Sequence, residues 1–215
     1  MVPDENVTSK QGGLSMSTPH TPPTSPAPLS WRTLIEDNRP DRSELWNQIA
    51  VRVLNSGDRD ALELLILTAA IHCSNEDISA RAVEAAQKLR TEEPTAKTDT
   101  LLAAAFPHLK EFSIPETENC RSRKYWIPSR LKLEGECIRR IARHSQNPLT
   151  IQFLILTVAI HHPAFNIREL GVMAANRLLK INPWNYLSNM CVDRAFPQDR
   201  KLQERVESYF TKCKG

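Results

Sequence analysis

Residues 62–94, LELLILTAAIHCSNEDISARAVEAAQKLRTEEP, and residues 151–183, IQFLILTVAIHHPAFNIRELGVMAANRLLKINP, are one passage written twice. The offset from 62 to 151 is 89 residues, with no gap. Thirteen of the 33 pairs are identical, from Leu65/Leu154 through His72/His161 and Ile78/Ile167 to Pro94/Pro183. Unrelated stretches of ordinary composition share about two. The echo resumes at Ala105-Phe106-Pro107 against Ala195-Phe196-Pro197. Self-similarity at a fixed period marks a repeat architecture.

Working outward, the punctuation divides each copy into helices. Leu45, Trp46, Ile49 and Val53 share one face of a helix over about 43–54, which Asn55-Ser56-Gly57 stops. A second helix runs from Asp58 to His72 and is apolar nearly all round, as a helix packed on both sides should be. A third begins near Asn75 with Glu76 and Asp77 in its first turn, where the helix dipole favours acid. Its buried stripe is Ile78, Ala82, Val83, Ala86 and Leu89. A short fourth covers about 99–106. The second copy repeats the plan. It has a helix over about 130–143, then Asn147-Pro148 as cap and first residue of the next. Asn166 with Glu169 has the spacing of a capping box. Asn182-Pro183 is expected to open another helix, and a last one covers about 198–212. Hairpin dipeptides and sustained alternation are missing from the sequence, so the expected class is all-α.

The run Asn166-Ile167-Arg168-Glu169-Leu170, followed by Ala174, Ala175 and Leu178, resembles the second helix of a HEAT repeat. Four helices per 89 residues is about 45 per hairpin, inside the HEAT and armadillo range. The first copy departs from the pattern, with Ser79 where Arg168 stands. The resemblance spans roughly residues 41–212. It implies a short α-solenoid of two stacked four-helix units that receives a partner on its exposed face. The expected organisation is a disordered Ser/Thr/Pro-rich tail over 1–29, a first unit over 30–112, a connection over 113–129 and a second unit over 130–215.

Composition bounds the function. The longest apolar run, near Ile151–Ile160, is interrupted by Gln152 and Thr157 and is too short for a membrane span, which needs ~20 residues. Residues 1–30 lack the apolar core of a secretory signal. Cys73, Cys120, Cys137, Cys191 and Cys213 are odd in number and scattered, which suits reduced thiols of a cytosol-like compartment, with the nucleus or a host-cell interior as other settings. The formal charge of +3 is uneven: residues 1–118 hold 11 Lys/Arg and 18 Asp/Glu, residues 119–215 hold 17 and 7. Such asymmetry concerns partners.

No Walker A, G-x-S-x-G, G-x-G-x-x-G or H-E-x-x-H motif occurs. His72-Cys73 and His161-His162 stand at equivalent helix ends, but stacked repeats hold equivalent positions one unit apart. A plain role serving helix-end carbonyls is therefore expected, with no metal, no cofactor and no catalytic residue. Trp184 and Tyr186 are expected to anchor packing. The segment 119–143 instead concentrates basic and aromatic residues. From it Arg121, Arg123, Lys124, Tyr125, Trp126, Arg139, Arg140 and Arg143 are the expected partner-binding surface. The expected function is a non-enzymatic interaction module for a protein partner, an acidic surface or a helical or extended peptide. Nucleic-acid binding by the basic C-terminal half is the alternative.

Overall fold

Side-chain caps set most of the helix boundaries. In the computed structural model, residues 40–114 and 128–212 are described, and they are helical with no strand among them. The Asp41 carboxylate accepts the Glu44 N–H and opens α1 (Arg42–Ser56); Gly57, at φ 67°, closes it in the left-handed conformation that glycine adopts freely. Asp58 caps α2 (Arg59–His72), Asn75 caps α3 (Glu76–Glu92) and Thr95 caps α4 (Ala96–Ala105). A single 3-10 turn follows at Lys110–Phe112. Ser129 caps α5 (Arg130–His144), and Asn147 caps α6 (Pro148–His161) with the proline where its missing N–H costs nothing. The remaining helices are α7 (Phe165–Ile181), α8 (Tyr186–Ala195) and α9 (Arg200–Lys212).

Two expected starts are displaced. Asn166 is no N-cap: α7 begins at Phe165 after Ala164, whose carbonyl takes the Ile167 and Arg168 N–H groups, and Asn166 sits inside the first turn. A capping box needs its Asn outside the helix, so the pairing with Glu169 cannot form. Asn182-Pro183 forms a turn, and the cap passes to Asn185, which accepts the Ser188 N–H.

The core is built around α2 and α6. Ala61 to Ala69 of α2 and Thr150 to Val158 of α6 are buried without a break. Each packs on the next helix of its own half, α2 on α3 and α6 on α7. Between halves the pairing is reciprocal: α1 lies on α6, α5 lies on α2, and α2 lies along α6. Asn147 Nδ2 donates to Asp58 Oδ2 at 2.8 Å at one end of the α2/α6 pair. At the other end the His72 and His161 rings stack, with centroids 4.9 Å apart and planes 13° apart. Touching at both ends, the two helices run parallel. Both contacts join residues 89 apart in the sequence. Copies stacked side by side would instead pair α1 with α5 and α3 with α7, and neither pair is in contact. The expectation that stacking separates His72 from His161 is therefore corrected. His72 and His161 lie face to face.

Gly171 marks the tightest crossing. A Cβ there would stand 2.8 Å from Val158 Cγ1 and 2.9 Å from Phe196 Cζ, both on buried side chains. Alanine is the better helix former by about 1 kcal/mol, but overpacking a filled core costs about 1–3 kcal/mol. Neither neighbour is the free end of a flexible chain, so packing decides the sign. Gly171→Ala should lower unfolding stability by about 1 kcal/mol in urea titrations; a more stable variant would show that the α6/α7 crossing has room to give.

Candidate metal centre

The polar groups that α2 and α6 carry into the core must each find a partner. Thr157 of α6 accepts the indole N–H of Trp46 at 2.9 Å. Its equivalent 89 residues earlier, Thr68 of α2, donates to Glu134 Oε1 at 3.2 Å. Trp46 on α1 and Glu134 on α5 thus partner the two threonines that stand 89 residues apart, and there the halves differ in chemistry. In one half a neutral indole fills the site, packed on Phe153 and on the edge of His161. In the other a fully buried carboxylate takes its place.

Two histidines surround that carboxylate. His72, the last residue of α2, brings Nε2 to 3.1 Å from Glu134 Oε2. His162, just past α6, brings Nε2 to 3.3 Å from Oε1. The three donor atoms lie within 4.8 Å of one another. His162 Nε2 is shut off from solvent, and its angle to Glu134 leaves it without a hydrogen bond. Burial alone would raise the Glu134 pKa, but His162 and His72 together outweigh it and hold the carboxyl below its usual range. Glu134 is therefore a buried anion at neutral pH, with no Lys or Arg among its described partners. His161, stacked on His72, is pushed down to about 4 by burial and by the two neighbouring imidazoles, so it stands neutral as a wall of the site. The burial of Cys73 and the nearby Glu134 push its thiol up, which keeps it protonated.

The sequence contained a signal for Glu134. Cys137, Ile138 and Ile141 form the buried stripe of α5, and Glu134 occupies the same stripe at i−3, i−4 and i−7. A carboxylate on an apolar face needs a partner, and that requirement points to the histidines at the helix ends.

The expected basic surface is divided. Arg121, Arg123, Lys124, Tyr125 and Trp126 lie outside the described residues. Arg139 and Arg143 are exposed one turn apart on α5. Arg140 turns inward instead. Its Nε donates to Asp60 at 2.9 Å and its Nη2 pairs with the buried Glu63, which Arg59 also holds. It acts as a bridge between α5 and α2. Trp184 and Tyr186 are likewise not core anchors, at 62% and 50% exposed. The chain matches no family model, no curated protein and no solved structure at a significant level.

Removing one partner of a buried charge costs more than removing an exposed charge. Arg140→Ala should therefore destabilise the fold by about 1–3 kcal/mol, moderated because Arg59 still holds Glu63. Arg139→Ala and Arg143→Ala should each stay within about 0.5 kcal/mol of the parent. Equal effects in parallel urea titrations would show that the α5/α2 bridge contributes nothing.

Proposed function

We propose that this protein binds one divalent transition-metal ion between its two halves, through His72 Nε2, the Glu134 carboxylate and His162 Nε2. The observation that carries this reading is a buried carboxylate with no Lys or Arg partner, Glu134, flanked by two imidazole Nε2 atoms at 3.1 and 3.3 Å, with the three donor atoms within 4.8 Å of one another. Buried charges are paired or coordinate metals, and one cation among these donors would satisfy all three. Two imidazoles and one carboxylate form a borderline set that suits zinc and its neighbours and disfavours calcium or magnesium. Tetrahedral ligation at ~2.0–2.1 Å sets donors about 3.3 Å apart, close to the two His–Glu separations of 3.1 and 3.3 Å. Both histidines stand at the end of a helix, where a small shift closes the remaining distance. Thr68 and the stacked His161 orient the ligands as outer partners do in zinc sites. The ion would join α2 of one half to α5 and the end of α6 of the other.

The test starts from chelator-treated protein titrated with Zn²⁺ and with Co²⁺. One equivalent should raise the melting temperature, and Co²⁺ should give the visible d–d bands of a low-coordinate nitrogen and oxygen site. His162→Ala and Glu134→Gln should each weaken binding by about 100-fold or more, while the remote His108→Ala should not. Absence of a cobalt spectrum together with an unmoved melting temperature would end this reading.

A protein-interaction role is a second reading, favoured by the outer face of α7. Phe165 and Met173 are 75% and 41% exposed, and with Val172, Glu169 and Asn176 they line an open groove of about 460 Å³. Their spacing follows one helix face, which suits an amphipathic helix of a partner. The helices α1–α4 and α5–α9 would then act as one platform, with the exposed Arg139 and Arg143 as a basic flank. Phe165→Ser with Met173→Ser should leave the melting temperature unchanged and abolish retention of the wild-type partner in pull-downs. Unchanged retention by this variant and by the Arg121/Arg123/Lys124→Ala variant would remove both surfaces from consideration.

A further inference from the structure

Where α7 begins, the halves diverge a second time. In the first half, the corresponding helix α3 is capped by Asn75 and opens on Glu76 and Asp77. In the second, Ala164 offers no side-chain cap, no acidic residue occupies the first turn, and Arg168 stands where the first half has Ser79. Pro163, just before this helix, and Arg168 within it line a cavity of about 240 Å³. Arg42 of α1, Arg168, His162 and Gln198 supply its polar lining, and Val158 and Phe196 belong to its apolar wall. No carboxylate lines it. The Arg42 Nε donates to the Arg194 carbonyl, which fixes that guanidinium and leaves its remaining donors over. Neither Arg42 nor Arg168 is ion-paired among the described residues.

Two guanidinium groups lining one cavity with no carboxylate in its wall repel each other, and an anion between them would relieve that repulsion. Two full positive charges match a dianion better than a monoanion. Guanidinium forks are also the donors that phosphate oxygens take. The volume falls just below the ~300–1,000 Å³ of pockets for drug-sized ligands, so a phosphate with a small attached group is the right scale. The apolar wall offers that group a surface.

We infer that this cavity is a binding site for a phosphate group, held by Arg42 and Arg168, with the remainder of a small phosphomonoester against Val158 and Phe196. The site does not depend on the proposed metal, although His162 borders both.

The experiment is calorimetric titration of the full chain in chelator at constant ionic strength, with inorganic phosphate, phenyl phosphate and acetate as probes. Both phosphates should bind saturably at one site, and acetate at least about tenfold more weakly. Tighter binding of phenyl phosphate would identify an ester as the natural form, and equal binding the free anion. Arg168→Ser, which installs the first half's residue at an exposed position, should weaken phosphate by about tenfold or more while leaving the melting temperature in place. Arg42→Gln should do the same from the opposite wall. Absence of saturable phosphate binding, or equal affinity in wild type and Arg168→Ser, overturns the inference. So does phosphate binding that appears only after metal is restored, because the anion would then be a ligand of the ion. Failure of metal binding alone leaves this result untouched.

Discussion

Everything in this fold hangs on the parallel contact of α2 and α6. Each is apolar on nearly every face and cannot be solvated on any, so each must be wrapped completely. Its own half supplies α1, α3 and α4 around α2, and α5, α7 and α8 around α6; the other half supplies the remaining cover, α5 and α6 on the one and α1 and α2 on the other. Neither half can therefore bury its central helix alone. The contact is pinned at both ends by polar groups, the Asp58–Asn147 hydrogen bond and the His72–His161 stack. These pairs fix the register: a slide of one turn would bring a cap against apolar side chains and break both at once.

Residues 89 apart on α2 and α6 present similar problems, and this chain solves them differently each time. Thr157 receives a neutral indole donor, while Thr68 faces a carboxylate that then requires two histidines. Gln152 is satisfied by Ser188, while Glu63 at the corresponding place requires Arg140 and Arg59. In both cases one half uses a neutral pair and the other a charged network. Neutral pairs end the chain of obligations, and charged ones extend it outward until some group reaches solvent, a counter-ion or a ligand. The asymmetric positions are thus where function can reside without disturbing the shared frame.

The sequence made the helices legible because caps and periodicity are local. Asp58, Asn75 and Asn147 cap where their residue types indicate. It did not make the arrangement of the halves legible, because a repeat of 89 residues records similarity and is silent on the operator that relates the copies. Translation and rotation leave the same sequence trace, and the choice between them decides whether His72 and His161 are distant or stacked. The HEAT-like pattern favoured translation. Ala164 defeated the Asn166 reading for a related reason: caps compete, and a helix that starts earlier absorbs the next cap into its first turn. Trp184 and Tyr186 remain half-solvated at the α7–α8 turn, because the core beneath is already closed by Tyr209 and Phe210.

His162 has no counterpart in the first half, where Cys73 stands at the corresponding place and is held as a neutral thiol. It terminates α6, faces Glu134 with one ring nitrogen and borders the cavity at the start of α7. A metal ion on that nitrogen would fix the ring, and with it the short Pro163-Ala164 link on which α7 begins. A phosphate against Arg168 would fix the same link from the other side. Two ligands that order one segment each lower the ordering cost left for the other, and the coupling is equal in both directions. The two proposed sites would be separable in what they bind, yet each would strengthen the other through a link two residues long.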